Sequence, residues 1–194
     1  MIRLFFLFML FSMPVQAATV LVVGDSLSAG YGLNAKQGWV YLLGQKLGNK
    51  HKVINASISG DTTSAGLARL PQAIKNHKPD IIILELGSND ALRGLPFTQT
   101  QANLKKMIQL SKQAKAKVLL VGMDMPPNFG NSYRTQFKRI YQNLATEEKI
   151  ALVPLLIDGF AADLSQFQND GIHPKASAQD KMMLNVLPKL TPLL

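Results

Sequence analysis

The stretch that most constrains this chain is Thr19-Val20-Leu21-Val22-Val23-Gly24-Asp25-Ser26. An unbroken, β-branched apolar run closed by a glycine predicts a strand buried on both faces, the kind found in parallel sheets. Open α/β sheets hold ligands just beyond the carboxyl ends of their strands. Ser26 stands two residues past such an end, which makes it a candidate nucleophile.

The remaining patterns alternate strand and helix. Apolar residues at 39, 42, 43 and 47 predict a helix over 38–47, followed by a short second strand at 52–56. A helix over 62–70 meets Pro71, which should either kink it or open a second short helix. The third strand is expected at 80–86. Thr98-x-x-Gln101 looks like a capping box for a helix whose inner face carries Leu104, Met107, Ile108, Ser111 and Ala114. A fourth strand at 117–123, a helix through Tyr133, Phe137, Ile140, Tyr141 and Leu144, and a fifth strand at 150–154 follow. The last helix should begin near Pro174 and end at Pro188. Such alternation predicts a single domain over 18–194, a three-layer α/β/α sandwich with right-handed crossovers. Five parallel strands suit the flavodoxin-like order 2-1-3-4-5. Strand 1 then lies between strands 2 and 3, and the loops after those two strands should flank Ser26.

Residues 1–17 read as a signal peptide: Arg3 gives a positive start, residues 4–13 form an apolar run, and Val15-Gln16-Ala17 offers a cleavage site. The run is too short to span a bilayer, which argues against an uncleaved anchor. The mature chain is expected to be exported, and periplasmic if the source is Gram-negative. The absence of cysteine excludes a lipidated N-terminus, disulfides and thiolate metal sites. Loss of Arg3 lowers the formal charge from +9 to +8. Lys105, Lys106, Lys112, Lys115 and Lys117 hold much of the excess. A solvated helix face accounts for them, with weak attraction to an anionic membrane surface as the functional alternative. No basic–aromatic stripe points to nucleic acid.

A nucleophilic serine needs donors for the oxyanion formed on attack. The amides of Ser26 and Gly60 and the side-chain NH₂ of Asn89 qualify, although Gly60 also fits a plain turn and Asn89 an Asx turn. The hydroxyl also needs a base, usually histidine. His51 and His77 lie in polar stretches before strands and read as surface residues. His173 lies after strand 5 in Asp170-Gly171-Ile172-His173-Pro174, with a carboxylate three residues upstream. Pro174 biases it away from helical geometry and toward a loop at a helix N-terminus, where Asp170 orients the ring and the helix end favours its neutral form. Asp25 and Asp90 are expected to hold loops through backbone hydrogen bonds.

Leu92, Leu95 and Phe97 in one loop, and Met125 and Pro126 in another, are candidate substrate-binding residues, since flexible apolar groups suit an acyl chain. The stretch Gly30-Tyr31-Gly32-Leu33-Asn34-Ala35 fits a loose dinucleotide pattern but starts too far from the strand and lacks its acidic partner. No G-x-S-x-G elbow and no His-x-x-x-His pair is present. A small-molecule binding module of flavodoxin-like fold is the non-enzyme alternative, though it would have no use for a Ser/Asp/His set on one edge.

Gly24-Asp25-Ser26-Leu27, Gly60, Gly87-Ser88-Asn89-Asp90 and Asp170-Gly171-Ile172-His173 resemble the four sequence blocks of the SGNH (GDSL) hydrolase family. The likeness runs over the whole mature chain and is nearest to the periplasmic thioesterase, lysophospholipase and arylesterase type. The resemblance implies a triad of Ser26, Asp170 and His173, and an oxyanion hole of Ser26, Gly60 and Asn89. It also implies hydrolysis of acyl thioesters, aryl or short-chain esters and lysophospholipids. A monomer that acts without cofactor or metal is expected. The rival within the fold is a carbohydrate O-acetylesterase. One departure is Ser88, where near relatives carry glycine.

Overall fold

The computed structural model of the protein describes residues 17–194. The proposed leader therefore lies, except for Ala17, outside the described residues. Five parallel strands form one sheet: β1 (Thr19–Gly24), β2 (Lys52–Asn55), β3 (Ile81–Glu85), β4 (Lys117–Val121) and β5 (Ala151–Val153), in the order β2-β1-β3-β4-β5. The expected 2-1-3-4-5 arrangement is present. Val20 to Val23 and Ile81 to Leu84 are wholly buried, because β1 and β3 are central and covered on both faces. Each such side chain contributes about 1.5–3 kcal/mol relative to an exposed one. The register pairs Gly24 with Glu85, aligning the strand ends from which the site is built.

Among the described residues, six α-helices lie between strands and a seventh follows β5: α1 (Ser26–Ala29), α2 (Trp39–Leu47), α3 (Thr63–His77), α4 (Ser88–Leu92), α5 (Phe97–Gln113), α6 (Asn131–Glu148) and α7 (Gln179–Leu190). Helices α2 and α7 pack together on one face of the sheet, and α3, α5 and α6 on the other. Trp39 and Leu43 anchor the first layer; Leu70, Leu104, Met107, Phe137 and Leu144 anchor the second. No helix among the described residues is long and apolar enough to cross a membrane.

Four local expectations are corrected. Helix α3 runs through Pro71 as one segment, so no second helix opens there, and α7 runs past its expected end at Pro188 to Leu190. Both prolines are exposed, so the carbonyls they leave unpaired can turn to water. The Thr98 capping box does not form. Helix α5 begins at Phe97, capped by Pro96 without a side-chain bond, and the Phe97 ring packs 4.6 Å from Tyr133. Nor does a helix start at Pro174: Pro174 bridges to Phe167, a short 3-10 turn spans Ala176–Ala178, and α7 follows. His173 thus sits away from any α-helix end. Three lysines between 105 and 117 are also less free than a solvated face implies. Lys105 pairs with Glu147, Lys112 with Glu148 at 2.9 Å, and the Lys117 ammonium donates to the Leu193 carbonyl.

Candidate active site

The turn bearing Ser26 is built by its neighbours. Asp25 caps α1, its Oδ1 accepting from the Leu27 amide at 3.0 Å, and Gly30 closes the turn in left-handed geometry. Below lies Glu85, wholly buried at the end of β3. Its Oε2 accepts from the Ser28 hydroxyl at 2.6 Å and from the Asp25 amide at 3.4 Å. A Cβ at Gly24 would stand 2.7 Å from both Glu85 Oε2 and Ser28 Oγ, so only glycine lets the strand end pass over this carboxyl. Glu85 was not anticipated from sequence. The only hint is a charged residue ending an otherwise apolar strand.

The loop after β5 brings His173 to Ser26. His173 Nε2 lies 2.8 Å from Ser26 Oγ, and Nδ1 lies 2.7 Å from Asp170 Oδ2. Asp170 Oδ1 also accepts from the amides of Ile172 and His173, at 2.8 and 3.0 Å, which folds the loop so that carboxylate meets imidazole. The Phe167–Pro174 bridge and the Gln168 amide donating to the His173 carbonyl pin both flanks. The Tyr31 ring lies 4.5 Å from the imidazole, centroid to centroid. Burial opposes ionisation of Asp170, but the two amides and the ring outweigh it and draw its pKa down to about 2. An ionised Asp170 only accepts, so Nδ1 carries the ring proton and the Nε2 lone pair faces the Ser26 hydroxyl. The other two histidines stand apart: His51 Nδ1 accepts from the Ala18 amide, and His77 is exposed.

The candidate oxyanion donors follow three strand ends. Asn89, in the first turn of α4, donates through Nδ2 to Asp25 Oδ2 at 3.2 Å and to the Asp61 carbonyl at 3.0 Å. Its amide is thereby fixed beside Ser26 on the cleft wall. Gly60 has φ +85°, a left-handed turn position, and its carbonyl accepts from Arg93 at 2.9 Å. Among the described residues, no group accepts from the amides of Ser26 or Gly60, which leaves both donors available. Asp90 ties this edge together, accepting from the Thr63 amide at 2.8 Å and hydroxyl at 2.5 Å. The expected loop-holding roles of Asp25 and Asp90 are both visible.

A cleft of about 270 Å³ opens from Ser26 and His173. Leu92, Met125 and Pro126 line it as expected; Leu95 and Phe97 do not. Leu95 is exposed where α4 meets α5, and Phe97 turns inward against Tyr133 and Phe137. The opposite wall was missed: Ile157, Ala161, Leu164, Phe167 and Ile172 come from the long segment between β5 and α7. Its apolar residues follow neither strand nor helix spacing, so periodicity could not flag them. Arg134 adds a polar edge, bound through Nε and Nη2 to Asp124 at 3.1 and 2.6 Å.

The buried acids make a pH prediction. Burial pushes the Asp25 carboxyl up to about 6, partly opposed by its bond from the Leu27 amide. Burial and then the charge on Asp25 hold Glu85 well above the usual carboxylate range. Acids raised on folding bind protons more tightly in the native state, so their contribution is fully present below the unfolded value and is lost as pH rises through the folded one. Asp170 has the opposite sign: its contribution is present above pH 4 and lost as pH falls toward 2. From these groups, thermal stability should peak near pH 4 and decline toward neutrality. Glu85→Gln, which removes one titration, should flatten the decline between pH 4 and 8 in melting curves. An unchanged slope would mean Glu85 is not raised.

Comparison with known proteins identifies the family. The model of the GDSL-like lipase/acylhydrolase family matches residues 22–181. The chain belongs to that family. It is 47% identical to the esterase TesA of Pseudomonas aeruginosa over 95% of this chain and 94% of that protein. It is 42% identical to thioesterase 1/protease 1/lysophospholipase L1 of Escherichia coli K12, over 97% and 90% of the two chains. A crystal structure of TesA superposes with a TM-score of 0.88 at 49% identity, covering 91% of this chain and 99% of that one. The protein is thus a hydrolase with the SGNH hydrolase fold, and the reading as a pure binding module falls away.

Proposed function

We propose that this family member is an exported serine hydrolase that cleaves acyl esters and thioesters through an acyl-enzyme on Ser26. The observation that carries this reading is the unbroken chain Asp170–His173–Ser26, at 2.7 and 2.8 Å, opening onto an apolar cleft. His173 Nε2 takes the hydroxyl proton as Ser26 Oγ attacks the acyl carbonyl, while Asp170 stabilises the imidazolium. The amides of Ser26 and Gly60 receive the oxyanion, and Asn89 Nδ2 joins them by turning one of its two N–H bonds away from Asp25 Oδ2 or the Asp61 carbonyl. The tetrahedral intermediate collapses, His173 protonates the departing alcohol or thiol, and water repeats the sequence to release the acid. No cofactor enters these steps.

Acyl esters, acyl thioesters and lysophospholipids are the proposed substrates, in keeping with the names of the relatives and the apolar wall of Met125, Ile157, Leu164 and Phe167. The chain acts as a monomer and reaches the periplasm through residues 1–17. A p-nitrophenyl ester series is the deciding experiment. Activity should peak above a C4 acyl group, whereas a sharp C2 optimum would favour the carbohydrate O-acetylesterase. Asn89→Ala should lower kcat by about 10²–10³ if Nδ2 receives the oxyanion. A near-native kcat would leave Asn89 as a strut between Asp25 and Asp61.

A further inference from the structure

The exposed apolar residues are unevenly spread. Of the seven large hydrophobic side chains exposed among the described residues, five lie on loops at the carboxyl edge of the sheet: Tyr31, Ile58, Leu95, Leu164 and Ile172. Leu164 is 76% exposed and Ile58 51%, well beyond what shielding the core requires. Four of them also adjoin the chemistry. Tyr31 faces the His173 ring, Ile172 precedes His173 and Leu164 lines the cleft. Ile58 lies in the loop that presents Gly60, its amide donating to the Gly24 carbonyl at 3.1 Å. The apolar wall of the cleft therefore continues outward through Leu164, Ile172 and Tyr31, with Ile58 and Leu95 on neighbouring loops of the same sheet edge (together, the rim).

A grouped exposed patch of this kind marks a binding surface, while scattered apolar residues do not. We propose that the rim is an interfacial docking surface, seating the enzyme on aggregates of single-chain amphiphilic esters so that one acyl chain passes into the cleft. The inference rests on the acyl-ester reading and names the physical state in which the substrate is met. Continuity decides the occupant. An amphiphile aggregate offers apolar contact to the rim and an acyl chain to the cleft, whereas a second copy of the chain would cover the mouth. Charge favours an uncharged or zwitterionic surface. At the edge, Arg93 and Lys175 donate to the Gly60 and Ser165 carbonyls and are equalled in number by Asp163 and Asp170, and the lysines of α5 belong to a flank facing α6. Docking is therefore apolar and should survive salt.

The test titrates a zwitterionic single-chain lysophospholipid through its critical micelle concentration, with water-soluble p-nitrophenyl butyrate as the monomeric control. The wild-type rate should step up at the micelle threshold and keep that step at 1 M salt. Burying one Leu or Ile side chain favours partitioning by about tenfold. The double variant Ile58→Asp, Leu95→Asp should raise the apparent KM for micelles by about tenfold or more, with kcat/KM for the butyrate unchanged. Retained butyrate hydrolysis also reports that the variant folds; Ile58→Ser is the milder substitute if it does not. A smooth rate curve through the threshold, a step unaffected by the variants, or a step abolished by salt would overturn the docking surface. So would sedimentation showing a wild-type dimer that the double variant dissociates. Failure to hydrolyse either substrate would sink the acyl-ester reading as well, a result distinct from all of these.

Discussion

Ser26→Ala is expected to lower kcat by on the order of 10⁶ and to abolish labelling by a fluorophosphonate probe. Removing Oγ deletes the atom that forms the covalent bond, and neither Asp170 nor His173 can act without it, so the loss is that of the whole relay. Little else should change. Among the described residues, Ser26 makes no side-chain bond other than that to His173, while Asp25, Ser28 and Glu85 still hold the turn. Melting temperature should therefore stay near the wild-type value. Covalent labelling of the alanine variant would remove the nucleophile from position 26.

The second large effect is expected at Asp170. Asp170→Asn keeps the Oδ1 acceptor that folds the loop onto the amides of Ile172 and His173. It replaces Oδ2 with an NH₂ group that donates toward His173 Nδ1. The ring then presents a lone pair at Nδ1 and an N–H at Nε2, so it donates to Ser26 and cannot accept its proton. A fall in kcat of about 10⁴ follows, with KM little changed. The Asp170 side chain is 38% exposed, which screens its charge, so the choice of tautomer should dominate over direct electrostatics. A loss below tenfold would mean that Tyr31 and the Gln168–His173 backbone bond orient the ring without the carboxylate.

Much of this site could be read without coordinates, because parallel α/β topology obeys strong rules. Once Thr19–Gly24 and Ile81–Glu85 are recognised as buried strands, the order β2-β1-β3 and the side on which the loops emerge follow. The Asp170-to-His173 spacing was legible because an Asx turn is local and needs only three residues. The helix boundaries at Pro71, Pro188 and Thr98 were misjudged because propensity counts a proline or a capping pattern by itself. Exposure of the two prolines and the packing of Phe97 on Tyr133 decided the outcome.

Residue order alone was enough for the sheet, the edge on which chemistry occurs, and the serine, histidine and carboxylate that meet there. These depend on periodicity and short-range turns, which a linear pattern encodes. The Glu85 carboxyl beneath Gly24, the cleft wall from Ile157 to Ile172 and the apolar rim appear only when distant segments pack. Each depends on which side chains lie across space from one another, and no spacing along the chain records that.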